Sequence, residues 1–187
     1  MGAAFGGATA LALAGKARQR IRSAVVIEGF FASAHLPAFA QQMHDNLSDF
    51  VAGRRVFNAM KQRSVAEALA KATMREAWRA LPADQKRVLT DAYFDPEADR
   101  NGWLRQLNGA RRDVSPLLAD LKTPILYLLG ERSTAGPRLA TGVEFLKTLP
   151  NARVITVKNG AHDLHIQQPE QVAELAIGFW REIGLQV

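Results

Sequence analysis

The sequence has no cysteine, which excludes disulfides and cysteine-based metal sites and fits a reducing compartment. It also lacks an N-terminal apolar run long enough to cross a bilayer, because the stretch from Ala3 to Ala14 is too short. Basic residues follow that stretch, whereas a secretory signal places them before it. We therefore expect a cytoplasmic protein with no membrane partner.

Motifs for metals and nucleic acids are missing as well. The four histidines include no pair at metal-ligand spacing backed by carboxylates, so we expect no metal and no other cofactor. The net charge is +6, but the basic pairs are scattered through the middle of the chain and match no basic-helix or zinc-finger pattern. We interpret them as solvated helix faces and expect no nucleic-acid partner.

The chain is long enough to bury a substantial core, since it has 187 residues, of which 48% are hydrophobic. Three short apolar runs predict buried strands, at residues 23–28, 123–130 and 152–157. Helices are predicted around them at 8–20, 137–149 and 169–183. Strands that alternate with helices predict an α/β fold with a parallel sheet and right-handed crossovers.

Between about residues 35 and 115 the strand patterns disappear and helical patterns dominate. One helix is predicted from His35 to Ala52, ended by Gly53, and another starts at a capping box of Ser64 and Glu67. The block is most simply a helical cap inserted into an α/β core. The predicted organisation is core at 1–34, cap at 35–115 and core again at 116–187.

The first seven residues have the spacing of a nucleophile elbow, Gly-x-Ser-x-Gly, in which a strand turns sharply into a helix. Gly2 and Gly6 occupy the glycine positions of this pattern. Ala4 occupies the nucleophile position, and an alanine side chain can neither attack a carbonyl nor release a proton. Because the chain begins at the turn, we expect the strand that leads into it to be missing.

The C-terminal part of the chain carries the most specific pattern, which consists of three short motifs followed by a helix. The motifs are Leu121–Leu126, Leu149–Ala152 and Gly160–His162, and the helix starts with Gln168-Pro169-Glu170. In order and spacing, nearly the whole chain resembles the α/β-hydrolase superfamily and looks like the C-terminal two-thirds of a capped serine hydrolase. The resemblance implies a truncated α/β-hydrolase fold. Its sheet would be mostly parallel, with about three strands, flanking helices and an inserted all-helical cap.

The resemblance also implies that His162 is the catalytic histidine, which takes the proton of the nucleophile and returns it to the leaving group. Members of the superfamily place the acid that orients this histidine after one of two strands. Ser133 stands where an aspartate often follows the later strand, with Glu131 close by, and Glu28 ends the earlier strand. We predict that Glu28 is the acid rather than Glu131; pairing with an arginine such as Arg22 is the alternative role for Glu28.

An oxyanion hole needs two backbone amides that point at the developing negative charge. The resemblance assigns one of them to Phe5, after the nucleophile position, and the part of the fold that normally supplies the other is absent from the sequence. The predicted hole is therefore half built. Phe30 and Phe31 follow Glu28 where cap meets core, and we predict that they line an apolar pocket for an acyl or aromatic substrate.

The resemblance implies a carboxylesterase-like activity, which is the hydrolysis of carboxylic esters or related carbonyl compounds. Without the serine, we expect this activity to be weak or lost. Three interpretations remain open. The protein is a hydrolase that has lost its serine, a weak hydrolase with another nucleophile, or a non-enzymatic ligand-binding or structural protein. The other nucleophile would be water or the hydroxyl of Ser33 or Ser133.

The strand predicted at 24–28 lacks the neighbouring strand that would lead into the elbow. An unpaired strand and an exposed apolar sheet face seek partners. We therefore expect a homodimer or a higher homo-oligomer that covers this edge of the sheet.

Overall fold

A computed structural model of the chain describes residues 1–31, 38–98, 100–110 and 113–186. The chain divides into two compact units, which we call the sheet unit (Met1–His35 with Ala110–Val187) and the helical unit (Leu36–Gly109). Ser33, one of the alternative nucleophiles, and His35, the predicted start of a helix, lie outside the described residues.

The elements alternate between strand and helix at both ends of the chain and are helical in the middle. In chain order they are β1 (Gly2–Ala3), α1 (Phe5–Lys16), β2 (Ala24–Ile27), α2 (Ala38–Ser48), α3 (Phe50–Met60), α4 (Arg63–Met74), α5 (Ala77–Ala80), α6 (Ala83–Tyr93), α7 (Arg100–Ala110), α8 (Ser115–Leu118), β3 (Ile125–Gly130), α9 (Gly136–Lys147), β4 (Ala152–Val157), α10 (Leu164–Gln167) and α11 (Pro169–Glu182). None of the described helices is both long and apolar enough to cross a membrane.

The strands of the sheet unit form one parallel sheet in the order β1-β2-β3-β4, which confirms the predicted fold class. Successive side chains of a strand point to opposite faces of the sheet. Val26 and Tyr127 belong to a core that includes α1 and α9, whereas Ile27 and Leu128 belong to a second core with α11. Because both faces are covered at the centre of the sheet, β2 and β3 are near-continuous apolar runs, as the sequence showed.

The sheet has one strand more than the three that were predicted. Gly2 and Ala3 form β1 and pair in parallel with Val26 and Ile27. The prediction that the strand before the elbow is missing was therefore wrong. A strand of two residues shows no periodicity, because alternation becomes recognisable only over about four residues.

The prediction that β2 is an open edge with an exposed apolar face was wrong for the same reason. β1 pairs with its C-terminal half, and all four residues of β2 are at most 3% exposed. Helices cover both faces of this strand, so its apolar residues are already buried within the sheet unit. In the described part of the chain, β1 and β4 are the edge strands of the sheet.

The helical unit departs from the prediction at Asp49. In place of one helix ended by Gly53, the chain forms α2 and α3, because Asp49 is extended and its side chain accepts hydrogen bonds from the backbone N–H groups of Val51 and Ala52. Gly53 lies inside α3, where a Cβ would stand 2.9 Å from the carbonyl oxygen of Leu47. Its lack of a side chain lets α3 pack closely on the end of α2.

The predicted capping box was also wrong. Helix α4 begins at Arg63, one residue before Ser64, and its N-cap is Gln62, whose side chain makes no capping hydrogen bond. The Glu67 carboxylate instead pairs with the Lys71 ammonium one turn later, at 2.8 Å. Because Ser64 is already inside the first turn, its hydroxyl is not placed to accept from the third helical residue.

Candidate active site

The residues singled out from the sequence follow the C-terminal ends of four neighbouring parallel strands. Ala4 follows β1 and Glu28 follows β2, while Ser133 comes shortly after β3 and His162 after β4. The C-terminal ends of parallel strands meet at one edge of a sheet, which is where ligands bind in open α/β folds. The topology alone therefore brings these four positions to the same edge.

The turn from β1 into α1 has the strained backbone of a nucleophile elbow. Ala4 adopts φ 47° and ψ −120°, a conformation that costs a residue with a side chain on the order of 1–3 kcal/mol. Its N–H donates to the carbonyl oxygen of Ile27 at 2.9 Å, which ties the turn to β2. A Cβ on Gly2 would stand 2.2 Å from the Gly6 carbonyl oxygen, so the tight turn requires glycine there.

Phe5, the predicted oxyanion donor, is the first residue of α1. The first N–H groups of a helix have no acceptor within it, and the helix N-terminus carries a partial positive charge. The backbone amide of Phe5 is therefore suited to a developing negative charge. The Phe5 side chain packs against Phe30, with ring centroids 5.8 Å apart.

Glu28 is fully buried, and its carboxylate accepts three hydrogen bonds. Oε1 accepts from the backbone N–H of Gly130 at 2.6 Å, and Oε2 accepts from the Ser133 hydroxyl and from His162 Nδ1, each at 2.5 Å. Hydrogen bonds to the ionised form satisfy a carboxylate that is costly to bury without partners. Gly130, Ser133 and His162 therefore occupy both oxygens of Glu28, where the alternative prediction placed an arginine such as Arg22.

His162 is held so that one ring nitrogen is engaged. A carboxylate only accepts hydrogen bonds, so Nδ1, which contacts Glu28, carries a proton. Nε2 is then the nitrogen left to exchange a proton with a reactant. Only 14% of the His162 side chain is exposed.

The surroundings of His162 favour its protonated form. Burial on its own lowers the pKa of an imidazole, because it disfavours the charged form. The hydrogen bond to Glu28 and the negative charges of Glu28 and Asp163 act in the opposite direction. Together they outweigh burial, and the pKa of His162 is raised above its ordinary value.

The loop before His162 is anchored to the end of β3. A Cβ on Gly130 would stand 2.6 Å from the carbonyl oxygen of Gly160, so the two backbones are in contact. The Arg132 N–H donates to the same oxygen at 2.8 Å, and Gln167 Oε1 accepts from the Ala161 N–H at 2.6 Å. Sequence reasoning did not single out Gln167, because its contact depends on how the chain folds back after the loop.

Glu131, the alternative acid, lies apart from this hydrogen-bond network. It is exposed, and its Oε2 accepts from the backbone N–H of Asn159 at 2.9 Å, which stabilises the turn that precedes the histidine. The geometry brings His162 together with Glu28 and not with Glu131. The contact of Ser133 with Glu28 was also missed, since only the folded chain places these residues side by side.

The two predicted pocket residues are buried in the sheet unit. Phe31 is 1% exposed, and its ring lies 6.4 Å from that of Tyr127 and 6.2 Å from that of Phe145. Phe30 is 4% exposed and packs on Phe5 beside the elbow. Both are part of the hydrophobic core, so contact between either ring and a substrate stays a prediction. Among the described residues, no group of three or more His, Cys, Asp or Glu side chains could hold a metal ion.

The comparison with known families agrees with this geometry. A model described as the alpha/beta hydrolase family matches residues 1–175. The match covers most of the chain, and the protein therefore belongs to the alpha/beta hydrolase family. No curated protein matches the chain significantly.

Several solved structures share the fold. MenH from S. aureus matches at TM-score 0.74 and 15% identity, covering 97% of this chain and 67% of that protein. A hydrolase from Pseudomonas aeruginosa matches at TM-score 0.73 and 18% identity, covering 95% of this chain and 62% of that protein. A thermophilic esterase from Thermogutta terrifontis matches at TM-score 0.72 and 20% identity, covering 97% of this chain and 64% of that protein. The chain spans about two thirds of the length of these proteins, and identities this low establish the fold alone.

Proposed function

We propose that the protein is a hydrolase of carboxylic esters with apolar acyl or aromatic groups, in which His162 is the general base and water is the nucleophile. The observation that carries the proposal is the 2.5 Å contact between His162 Nδ1 and the buried Glu28 carboxylate. A base oriented by a carboxylate, at the same edge of the sheet as a strained elbow, is the arrangement that acyl transfer requires. The esterase among the similar structures is consistent with this reaction class.

The proposed reaction has two steps. Glu28 keeps the proton on Nδ1, so Nε2 of His162 accepts a proton from water while the water oxygen bonds to the ester carbonyl carbon. The carbonyl π electrons move to the oxygen, and the Phe5 N–H donates to the resulting oxyanion. When the tetrahedral intermediate collapses, the bond to the alcohol oxygen breaks and the imidazolium returns its proton to that oxygen. A carboxylic acid and an alcohol leave, and neutral His162 is restored.

The alanine at the elbow limits the rate. Water is bound less firmly than a serine hydroxyl, so much of the advantage of a positioned nucleophile is lost. Serine proteases that lack a member of their triad still retain roughly 10³- to 10⁴-fold acceleration over water. We therefore expect slow turnover of activated esters, and faster turnover when a hydroxyl is restored at position 4.

Hydrolysis of short-chain p-nitrophenyl esters tests the proposal with the unchanged protein and the variants Ala4→Ser and His162→Ala. We expect slow hydrolysis that falls to background in His162→Ala and rises in Ala4→Ser. A matched control is His44→Ala, which removes a histidine of the helical unit and should leave the rate unchanged. Activity that survives in His162→Ala would contradict the proposed role of this histidine.

The lack of a hydroxyl at Ala4 also favours a second candidate, a ligand-binding protein that retains the fold. This candidate predicts no turnover in any variant, including Ala4→Ser. It also predicts binding of an apolar carboxylate, for which octanoate measured by calorimetry is a suitable probe. Turnover restored by Ala4→Ser alone would instead indicate a hydrolase site that lacks only its nucleophile.

A further inference from the structure

Ser133 and His162 contact the same oxygen of Glu28. The Ser133 hydroxyl and His162 Nδ1 each lie 2.5 Å from Oε2, on separate loops that follow β3 and β4. No step of the proposed mechanism uses this serine. Its contact is with the least exposed group of the site, since Glu28 is 0% exposed.

The direction of the Ser133 hydrogen bond follows from its other partner. The backbone N–H of Ala135 donates to Ser133 Oγ at 3.1 Å, so this oxygen already accepts a hydrogen bond. The Glu28 carboxylate has only acceptors, and the hydroxyl proton must therefore point at Oε2. The Ser133 N–H also donates to the carbonyl oxygen of Gly130 at 3.1 Å, which fixes the backbone of the serine.

We infer that Ser133 is a positioning residue, whose hydroxyl holds Oε2 of Glu28 where the Nδ1 proton of His162 reaches it. A glutamate has a flexible side chain, and without Ser133 the carboxylate would be held only by the Gly130 N–H at Oε1 and by the imidazole of His162 itself at Oε2. The bond from Ser133 to Oε2 fixes the plane of the carboxylate independently of His162. The same contact directs the hydroxyl proton away from His162, which argues against Ser133 as the alternative nucleophile.

Nuclear magnetic resonance of the imidazoles in ¹⁵N-histidine-labelled protein tests the inference without any need for turnover. The sequence has only four histidines, and the spectrum of His162→Ala assigns the signal of interest. The charged or titratable groups that act on His162 are Glu28, Asp163 and His165, and all remain in a Ser133→Ala variant. A change in the titration of His162 therefore reports on the geometry of the Glu28 contact.

In Ser133→Ala we expect the slowly exchanging, downfield Nδ1–H signal of His162 to be lost and its pKa to fall toward the ordinary value. Ser133→Thr keeps a hydroxyl at the same position and should restore both. Ser64→Ala, at an exposed serine of α4, is the matched control and should change neither. If Ser133→Ala does not fold, Ser133→Cys serves instead, because its side chain has a similar volume and its thiol is only a weak hydrogen-bond donor. We expect the same loss of the Nδ1–H signal and the same fall in the pKa of His162.

An unchanged Nδ1–H signal and pKa in the alanine or cysteine variant would overturn the inference, because the serine would then only cap its own turn. A pKa that rises would overturn it too, since the hydroxyl would then compete with the imidazole for Oε2. The kinetic readout rests on the proposed function. When Ser133→Ala is added to whichever protein hydrolyses esters, the unchanged protein or Ala4→Ser, it should lower kcat about 10- to 100-fold with little change in KM. Failure of ester hydrolysis would leave the spectroscopic test intact.

Discussion

Replacement of Glu28 by glutamine removes the buried charge of the site while it keeps the shape of the side chain. The amide oxygen still accepts from the Gly130 N–H, but the amide NH₂ then faces Ser133 Oγ and His162 Nδ1. Two donors cannot bond to each other, so His162 must move its proton from Nδ1 to Nε2. In that tautomer Nε2 no longer accepts a proton from a nucleophile.

The size of the effect follows from the three hydrogen bonds of Glu28. A buried ion pair that is broken outright costs about 3–5 kcal/mol, and a hydrogen bond to a charged group contributes about 1.5–3 kcal/mol. Glutamine keeps the bond to Gly130 and leaves no cavity, so we expect a loss of about 1.5–3 kcal/mol in the free energy of unfolding. The corresponding acid-to-amide change in a serine protease lowers kcat by roughly 10⁴, and we expect a large loss of any ester hydrolysis as well.

The loss of stability in this variant depends on pH. The pKa of His162 is raised in the folded protein, so its protonation stabilises the fold. This contribution is fully present below the ordinary histidine pKa of about 6.5 and is lost as pH rises through the folded-state value. Without the charge of Glu28, burial dominates and protonation of His162 opposes folding. The gap between wild type and Glu28→Gln should therefore widen as pH falls from about 8 to about 5.5.

Urea denaturation followed by tryptophan fluorescence measures this gap. Trp180 lies in the sheet unit, where its Nε1–H donates to Ser23 Oγ at 3.0 Å. Trp78 and Trp103 lie in the helical unit, so a background with both replaced by phenylalanine makes fluorescence report on the sheet unit. The control, Glu131→Gln, changes an exposed glutamate and should cost less than about 0.5 kcal/mol. A cost for Glu28→Gln that is equally small, or that does not change with pH, would refute the reasoning.

Three further predictions concern the elbow, the histidine loop and the assembly. Ala4→Gly should raise the free energy of unfolding by up to about 2.5 kcal/mol in urea titrations. Relief of the positive φ gains about 1–3 kcal/mol and the more flexible unfolded chain costs about 0.4–1 kcal/mol, and a net loss would contradict the assigned backbone. Gly130→Ala should lose about 2 kcal/mol because its Cβ meets the Gly160 carbonyl oxygen. Gly136→Ala, where a Cβ meets nothing within 4 Å, should lose nothing, and equal melting temperatures of the two variants would disprove the close approach. We also expect a homodimer or a higher homo-oligomer that covers the edge of the sheet, which β1 now forms, and a monodisperse monomer by light scattering at micromolar concentration would disprove it.

Strand β3 (Ile125–Gly130) was predictable because it is buried on both faces, and the predicted segment 123–130 contains it as an apolar run bounded by proline and glycine. Strand β4 (Ala152–Val157) coincides with the predicted segment 152–157 because its β-branched residues favour a strand, although only Val157 of this edge strand is buried. The sequence does not predict the break at Asp49, where the hydrogen bonds of one side chain interrupt an otherwise continuous helical pattern. Nor does it predict β1, a strand of two residues that is recognisable only from its pairing with β2.

At the site, the resemblance paired Glu28 with His162, but nothing in the sequence indicated that Ser133 contacts Glu28. Glu28 and His162 are 134 residues apart, and Glu28 and Ser133 are 105 apart, so no local pattern records their contacts. The contacts also depend on a φ of 48° at Glu28, a conformation that L-residues rarely adopt. The secondary-structure propensities of the residues give no sign of such backbone strain, because the surrounding fold imposes it.

The strained turn at Ala4 has a consequence for how this sequence can change with time. Alanine and serine differ by a single oxygen atom, and every alanine codon (GCN) becomes a serine codon (TCN) through one first-base substitution. The backbone at position 4 already has the elbow conformation, at φ 47° and ψ −120°, so the mutant side chain needs no rearrangement of the chain. Gain and loss of a hydroxyl at this position are therefore a single mutational step apart in either direction, with the contact between His162 and Glu28 in place throughout.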